Sequence, residues 1–242
     1  IFVKPGHTEV VSTAGGIACS VAGVAIVGMG VGSLRPLITL TAAAATVTVT
    51  AANVSLVNLI FEAAFIDVVV GLDVSGVAGL TIDDCLFRDQ ASNLNYLNGI
   101  NMATGATDFT MTNTKFIGGD AQNNAWFSAA GTVDIMTWRN NYFATNVAQD
   151  SATAQVEATG NITNMDIRNC FFRSNIDGAI QIAFAGTANS GLIQGCYFSS
   201  LDIAGAITTF GDATGAHFSQ CFVAGEADSY GIIGGGSAIS AN

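Results

Sequence analysis

The sequence predicts an all-β chain wound as a parallel β-helix of about eight coils, and three observations predict it. One phrase recurs along most of the chain, a second strand signal recurs between its copies, and no stretch carries apolar residues at the 3.6-residue spacing of a helix.

The phrase is clearest in GLTIDDCLFRDQ (79–90) and NMDIRNCFFRSN (164–175). These agree in order: apolar, polar, apolar, polar, turn residue, Cys, bulky residue, Phe, Arg. Aligned on the last aromatic of each, at Phe87 and Phe172, further copies end at Phe61, Phe116, Phe143, Phe198 and, degenerately, Val223. A weaker copy is GVAIVGMGV at 23–31. Spacings from Phe61 onward are 26, 29, 27, 29, 26 and 25 residues, the signature of a repeat architecture. The second signal centres on Leu72, Ile100, Phe127, Val156, Ile180, Ile207 and Ile232. Each unit therefore holds short alternating strands and turns, and reads as one coil. Equal positions then stack about 4.8 Å apart, and the rod is on the order of 40 Å long.

Within the phrase, alternation assigns each side chain a face. Leu80 and Ile82 point inward, Thr81 and Asp83 outward. The next position is a turn, occupied by Asn58, Asp84, Asn113, Asn140, Asn169 and Gly195, residue types that tolerate a left-handed backbone. After the bend Cys85 and Phe87 point inward again, which makes Cys85, Cys170, Cys196 and Cys221 interior thiols, three of them on consecutive coils. Buried free thiols serve as small hydrophobes, so the phrase is scaffold.

The position between Cys and Phe faces outward. Its occupants are Ile60, Leu86, Lys115, Tyr142, Phe171, Tyr197 and Phe222, six of them large apolar or aromatic residues on one edge. Such a strip exceeds what monomers leave exposed, and points to a contact between chains or with a ligand; the other reading is that a loop of the same chain covers it. Burying about 100 Å² on each of four aromatics contributes roughly 10 kcal/mol before association costs.

Composition narrows the classes. The 242 residues suit a single domain over 1–242. Half are apolar and a tenth charged, which excludes disorder. Seven basic residues against eighteen acidic ones give a net charge of −11, the wrong balance for nucleic acid. Five cysteines without CxxC, and isolated His7 and His217, suggest neither a disulfide framework nor a metal site. GMGVG at 28–32 mimics a dinucleotide loop, but Pro36 and LITLT follow where a helix must start, so no cofactor is expected. Residues 17–34 are uncharged yet belong to the repeat, and read as strand rather than membrane span. The chain opens within a strand at IFV and closes at GIIGGGSAISAN without an amphipathic cap, which predicts flanking sequence or partners over both ends.

The opening IFVKPGHTE, followed by AGVAIVGMGVGSLRP, resembles the right-handed parallel β-helix (pectate-lyase-like) superfamily, a strand, a PG turn, then a second strand and turn. The resemblance spans nearly the whole chain and implies a single-stranded, right-handed β-helix. The Ala- and Gly-rich, weakly charged texture is similar to β-helix virion proteins of bacteriophages. Enzymes of the superfamily act on polysaccharides, and the resemblance implies where their signatures belong. Of the Asn-x-Asp, Asp-Asp, Gly-His-Gly and Arg-x-Lys set, Asp-Asp occurs at Asp83–Asp84, while Gly-His-Gly and Arg-x-Lys are missing. The outward column at position 83 reads Val57, Asp83, Thr112, Arg139, Arg168, Gln194, Ser219, with no acidic cluster for a calcium-dependent lyase. No catalytic residue is assigned. The leading expectation is a structural virion protein, a capsid decoration or tail/fibre module at the virion surface, forming a homo-oligomer (a trimer) with other virion proteins as partners. The alternatives are a polysaccharide-binding or polysaccharide-cleaving module and a bacterial surface adhesin.

Overall fold

Strands that alternate apolar and polar residues bury one face and leave one to solvent, and here each strand's partners lie one repeat away in sequence. The computed structural model describes residues 1–91, 93–118, 125–145, 154–174, 180–200, 208–210, 215–225 and 232–234. These form three parallel sheets of nine strands each. Sheet A runs from Phe2–Val3 to Gly215–Ser219, sheet B from Thr8–Val11 to Phe222–Gly225, and sheet C from Ile17–Cys19 to Ile232–Gly234. Each coil adds one strand to A, then B, then C, so the chain is a parallel β-solenoid. Nine strands per sheet is one more than the sequence copies suggest, the addition being the short opening strand Phe2–Val3 paired with Val27–Gly28. The one helical element among the described residues is a single 3-10 turn, Gly32–Leu34, where the dinucleotide-like GMGVG ends. No described helix is long and apolar enough to cross a membrane.

The repeat sets the register. Phe61, Phe87, Phe116, Phe143, Phe172 and Phe198 are successive partners in sheet B. Their fully buried rings form one column with centroids 4.7–5.0 Å apart. In sheet C, Leu72, Ile100, Phe127 and Val156 are partners as the spacing predicts, but the next rung is Ile182 and not Ile180, which pairs with Ala154. Ile180 and Ile182 lie on the same face of one strand, so alternation alone does not choose between them. Ile207 lies outside the described residues; Thr208 and Ile232 continue the column.

The corner between sheets A and B is built from left-handed residues. Asn58, Asp84, Asn113, Asn140, Asn169 and Gly195 have φ between 48° and 62°, and Gln220 continues the column at 53°. Each of the six donates its backbone N–H to a carbonyl in the next coil, as Asn113 does to Arg139 at 3.0 Å and Asn140 to Arg168 at 3.1 Å. Asn140 also donates its side-chain amide to Asn113 at 3.4 Å. A second left-handed column, Gly23, Asn53, Gly79, Asp108, Ile135 and Asn164, bends the chain within or just before the sheet A strands.

Behind the corner lies a column of small hydrogen-bonding side chains. Cys85, Cys170 and Cys196 are buried, but Cys221 is only half-buried because its strand is the last of sheet B. These thiols do more than fill space. Each Sγ lies 3.5 Å from the carbonyl two residues back, at Asp83, Arg168, Gln194 and Ser219. Thr114 makes the same bond through Oγ1 to Thr112 at 3.0 Å. Asn141, 1% exposed, donates Nδ2 to the Met111 carbonyl and accepts the Thr114 N–H through Oδ1, both at 2.9 Å. Cys and Thr thus share one bond, to the carbonyl two residues back that also accepts the corner N–H, whereas Asn141 reaches back one coil to Met111, as Cys85 also does to Leu56 at 3.5 Å.

Candidate functional site

The outward column of sheet B divides into two parts. Its pairing runs Ile60, Leu86, Lys115, Tyr142, Phe171, Tyr197, Phe222 in consecutive coils. The second part is aromatic. Tyr142, Phe171 and Tyr197 are half-buried and stack face to face, at 5.1 and 4.8 Å between centroids with the rings within 10° of parallel. Phe222, at the end of the column, is 68% exposed. Because the rings occupy one another's faces, the strip offers its edges outward, a flat apolar ridge.

The first part is a groove of about 720 Å³ on the outer face of sheet B. Leu37, Ile60, Leu86 and Ile117 supply its apolar surface, and the segment Val31–Arg35 forms a wall. That wall corrects one expectation: Ile60 points outward but is only 7% exposed, because a segment of the same chain covers it. Arg35 pins the wall down. Its guanidinium donates to the carbonyls of Leu59, at 3.3 Å, and Asp84, and sits 3.9 Å from the Asp84 carboxylate. Arg88 is held by Glu62, Nε to Oε2 at 2.6 Å, and Glu62 is 4% exposed. Lys115 is exposed and has no carboxylate partner among the described residues. Thus three of the seven basic residues of a chain carrying −11 line one groove. Sequence reading marked Lys115 only as an exception to an apolar column. Arg88 belongs with it because the register sets it beside Glu62 and Ile117, while the contribution of Arg35 depends on the wall.

Sheet A carries Asp83, Asp108, Asp134 and Asp166. Asp83 accepts from Thr112 at 2.5 Å and Asn113 at 2.9 Å, while Asp84 sits exposed on the corner, so this pair does not converge on one point. Asp134 accepts from Thr163 and Asn164, and these bonds hold its carboxyl below the usual range. Asp166 lies between Arg139 and Arg168; desolvation pushes its carboxyl upward, but the bonds and charges of the two arginines outweigh that and hold it below the usual range. Neither Asp134 nor Asp166 is suited to donate a proton to a glycosidic oxygen, a task that needs a raised pKa. Glu157, whose carboxyl burial raises, lies on sheet C. His7 contacts Glu9 at 3.3 Å, and His217 is an exposed residue of sheet A beside Leu192.

Four of the five cysteines are buried, and their thiols are not shifted in one direction. Burial pushes the Cys85 thiol up to about 12. In the stack, Cys196 is pushed up to about 12, first by its hydrogen bond with Cys170, which is lowered by the same bond. No group of His, Cys, Asp and Glu among the described residues is placed to hold a metal ion.

The architecture defines the class of protein, an all-β parallel solenoid built from one repeated coil. No protein-family model and no curated protein matches the sequence. Among solved structures, the chain is similar to the catalytic domain of a GH87 alpha-1,3-glucanase in complex with nigerose, at 11% identity and a TM-score of 0.33. The match covers 94% of this chain and 61% of that one.

Proposed function

We propose that the chain is a structural module that assembles side by side with copies of itself through the aromatic part of sheet B, as a capsid-decoration or tail/fibre component at a virion surface. The observation that carries the assembly reading is the ridge Tyr142–Phe171–Tyr197, ending at a Phe222 that is 68% exposed. Association would bury about 50 Å² on each stacked ring and about 100 Å² on Phe222, contributing about 6 kcal/mol per strip. Against an association cost of about 4–15 kcal/mol, one strip is marginal and several strips around a shared axis suffice, which favours a trimer. The virion placement rests on the texture of the sequence.

A second reading, a glycan-binding strip, is favoured by Tyr142, whose only stacked aromatic neighbour among the described residues is Phe171. Cleavage is disfavoured by the depressed carboxyls of sheet A. The test is the mass in solution, by light scattering, of wild type and Phe171→Ser/Tyr197→Ser. A wild-type trimer that dissociates in the variant supports assembly. Monomers in both cases refute it and leave the glycan reading to be tested.

A further inference from the structure

The groove walled by Val31–Arg35 lies on the coils before the aromatic strip and makes a demand of its own. Its three cations face two acids: Arg88 is paired with Glu62 and Arg35 with Asp84, which leaves the charge of Lys115 uncompensated. Both arginines are fixed before any ligand arrives, whereas Lys115 is an exposed flexible arm at the groove's edge. Arg35 also keeps a buried Nε without a hydrogen-bond partner. Beneath these groups lie Leu37, Ile60 and Leu86, with Ile117 at the side. Of the polar lining, Asn58 already donates its amide to the carbonyls of Gly28 and Gly30 at 2.8 and 2.7 Å, and Ser33 and Asp84 complete it. A hydroxyl-rich ligand would leave the polar groups that lie over Leu37, Ile60 and Leu86 unpaired, at a cost. An apolar body with one negative charge matches the aliphatic floor and the free charge of Lys115, and the volume of about 720 Å³ is that of a small-molecule site.

We infer that this groove binds an amphiphilic organic monoanion, its acidic headgroup at Lys115 between the two fixed arginines and its aliphatic body on Leu37, Ile60 and Leu86. The site is complete within one chain and goes beyond the assembly reading.

The probe is sodium octanoate, below its micellar concentration, titrated calorimetrically into the full chain. Saturable binding at one site per chain is expected. Lys115→Glu should weaken it by about tenfold or more, and the uncharged octyl glucoside should bind about tenfold more weakly than octanoate. His217→Ala, an exposed position on sheet A outside both the groove and the ridge, should leave octanoate affinity unchanged. Lys115 is exposed, so an unchanged circular dichroism spectrum establishes that its variant is folded. Absence of saturable binding, equal affinity for octyl glucoside, or undiminished binding by Lys115→Glu overturns the inference. Capture by phosphatidylglycerol vesicles without octanoate binding also overturns it, in favour of a membrane surface.

Discussion

Replacing Asn141 by alanine removes the acceptor of the Thr114 N–H and the donor to the Met111 carbonyl, both at 2.9 Å and both in the dry interior behind the corner. Thr114 is 0% exposed and its N–H has no other partner given by the structure, so water cannot replace the lost acceptor. An orphaned buried donor costs about 1–3 kcal/mol, and the lost carbonyl bond and the small cavity add about 1 kcal/mol each, so Asn141→Ala should cost about 3–5 kcal/mol. Threonine should recover most of this. At the preceding rung Thr114 accepts the Cys85 N–H at 3.3 Å while donating to the carbonyl two residues back, and a threonine at 141 can repeat both bonds. Asn141→Thr is therefore expected to cost about 1 kcal/mol. Urea unfolding followed by far-ultraviolet circular dichroism measures both, provided the slope with denaturant is unchanged. If alanine costs no more than threonine, the column behind the corner is ordinary packing and the hydrogen-bond account is wrong.

Two further predictions concern sheet A. Asp166 has a native carboxyl pKa held below its unfolded value, so its stabilisation is complete above the unfolded carboxylate range and is lost as pH falls through the depressed native value. The difference in melting temperature between wild type and Asp166→Asn should accordingly be constant near neutrality and shrink below about pH 4; a gap that persists to pH 2 would refute it. Ile135 is a β-branched residue at φ 55° and 43% exposed. Relief of about 1–2 kcal/mol of backbone strain should outweigh about 1 kcal/mol of lost burial, so Ile135→Asn is neutral to stabilising. Asn164→Ile in the same column, which also loses the 2.7 Å bond to Asp134, should destabilise by about 2–3 kcal/mol. Thermal unfolding of both variants tests this, and equal destabilisation would count against it.

What the sequence made legible follows from what a repeat constrains. The period, the inward Phe column and the Asn corner recur because each coil meets the same neighbours, so one-dimensional spacing carries three-dimensional position. The second left-handed column is mostly Gly, Asn and Asp like the first, and Ile135 at its centre masks the pattern. The column behind the corner was half-read: cysteine, threonine and asparagine look unrelated until the carbonyls they serve, two residues back or one coil back, are seen. The groove was not legible. Its wall belongs to no repeat, and Arg35 reaches Asp84, 49 positions away, which no local pattern reports.

The outer column shows why one scaffold can carry two separable tasks. An outward position of a solenoid constrains only its nearest rungs, so a single residue changes the character of the surface there at little structural cost. Lys115 is that residue. It parts the aliphatic rungs Ile60 and Leu86 from the aromatic rungs beginning at Tyr142, and it brings to the groove a charge without a carboxylate partner among the described residues. Two rungs separate it from Phe171, about 10 Å along the rod, a distance at which substitutions without shared partners act nearly additively. Assembly through the ridge and anion binding in the groove should then respond independently to Phe171→Ser/Tyr197→Ser and to Lys115→Glu. Coupling between them would mean that a neighbouring copy closes the groove, and that the two parts of the column form a single site.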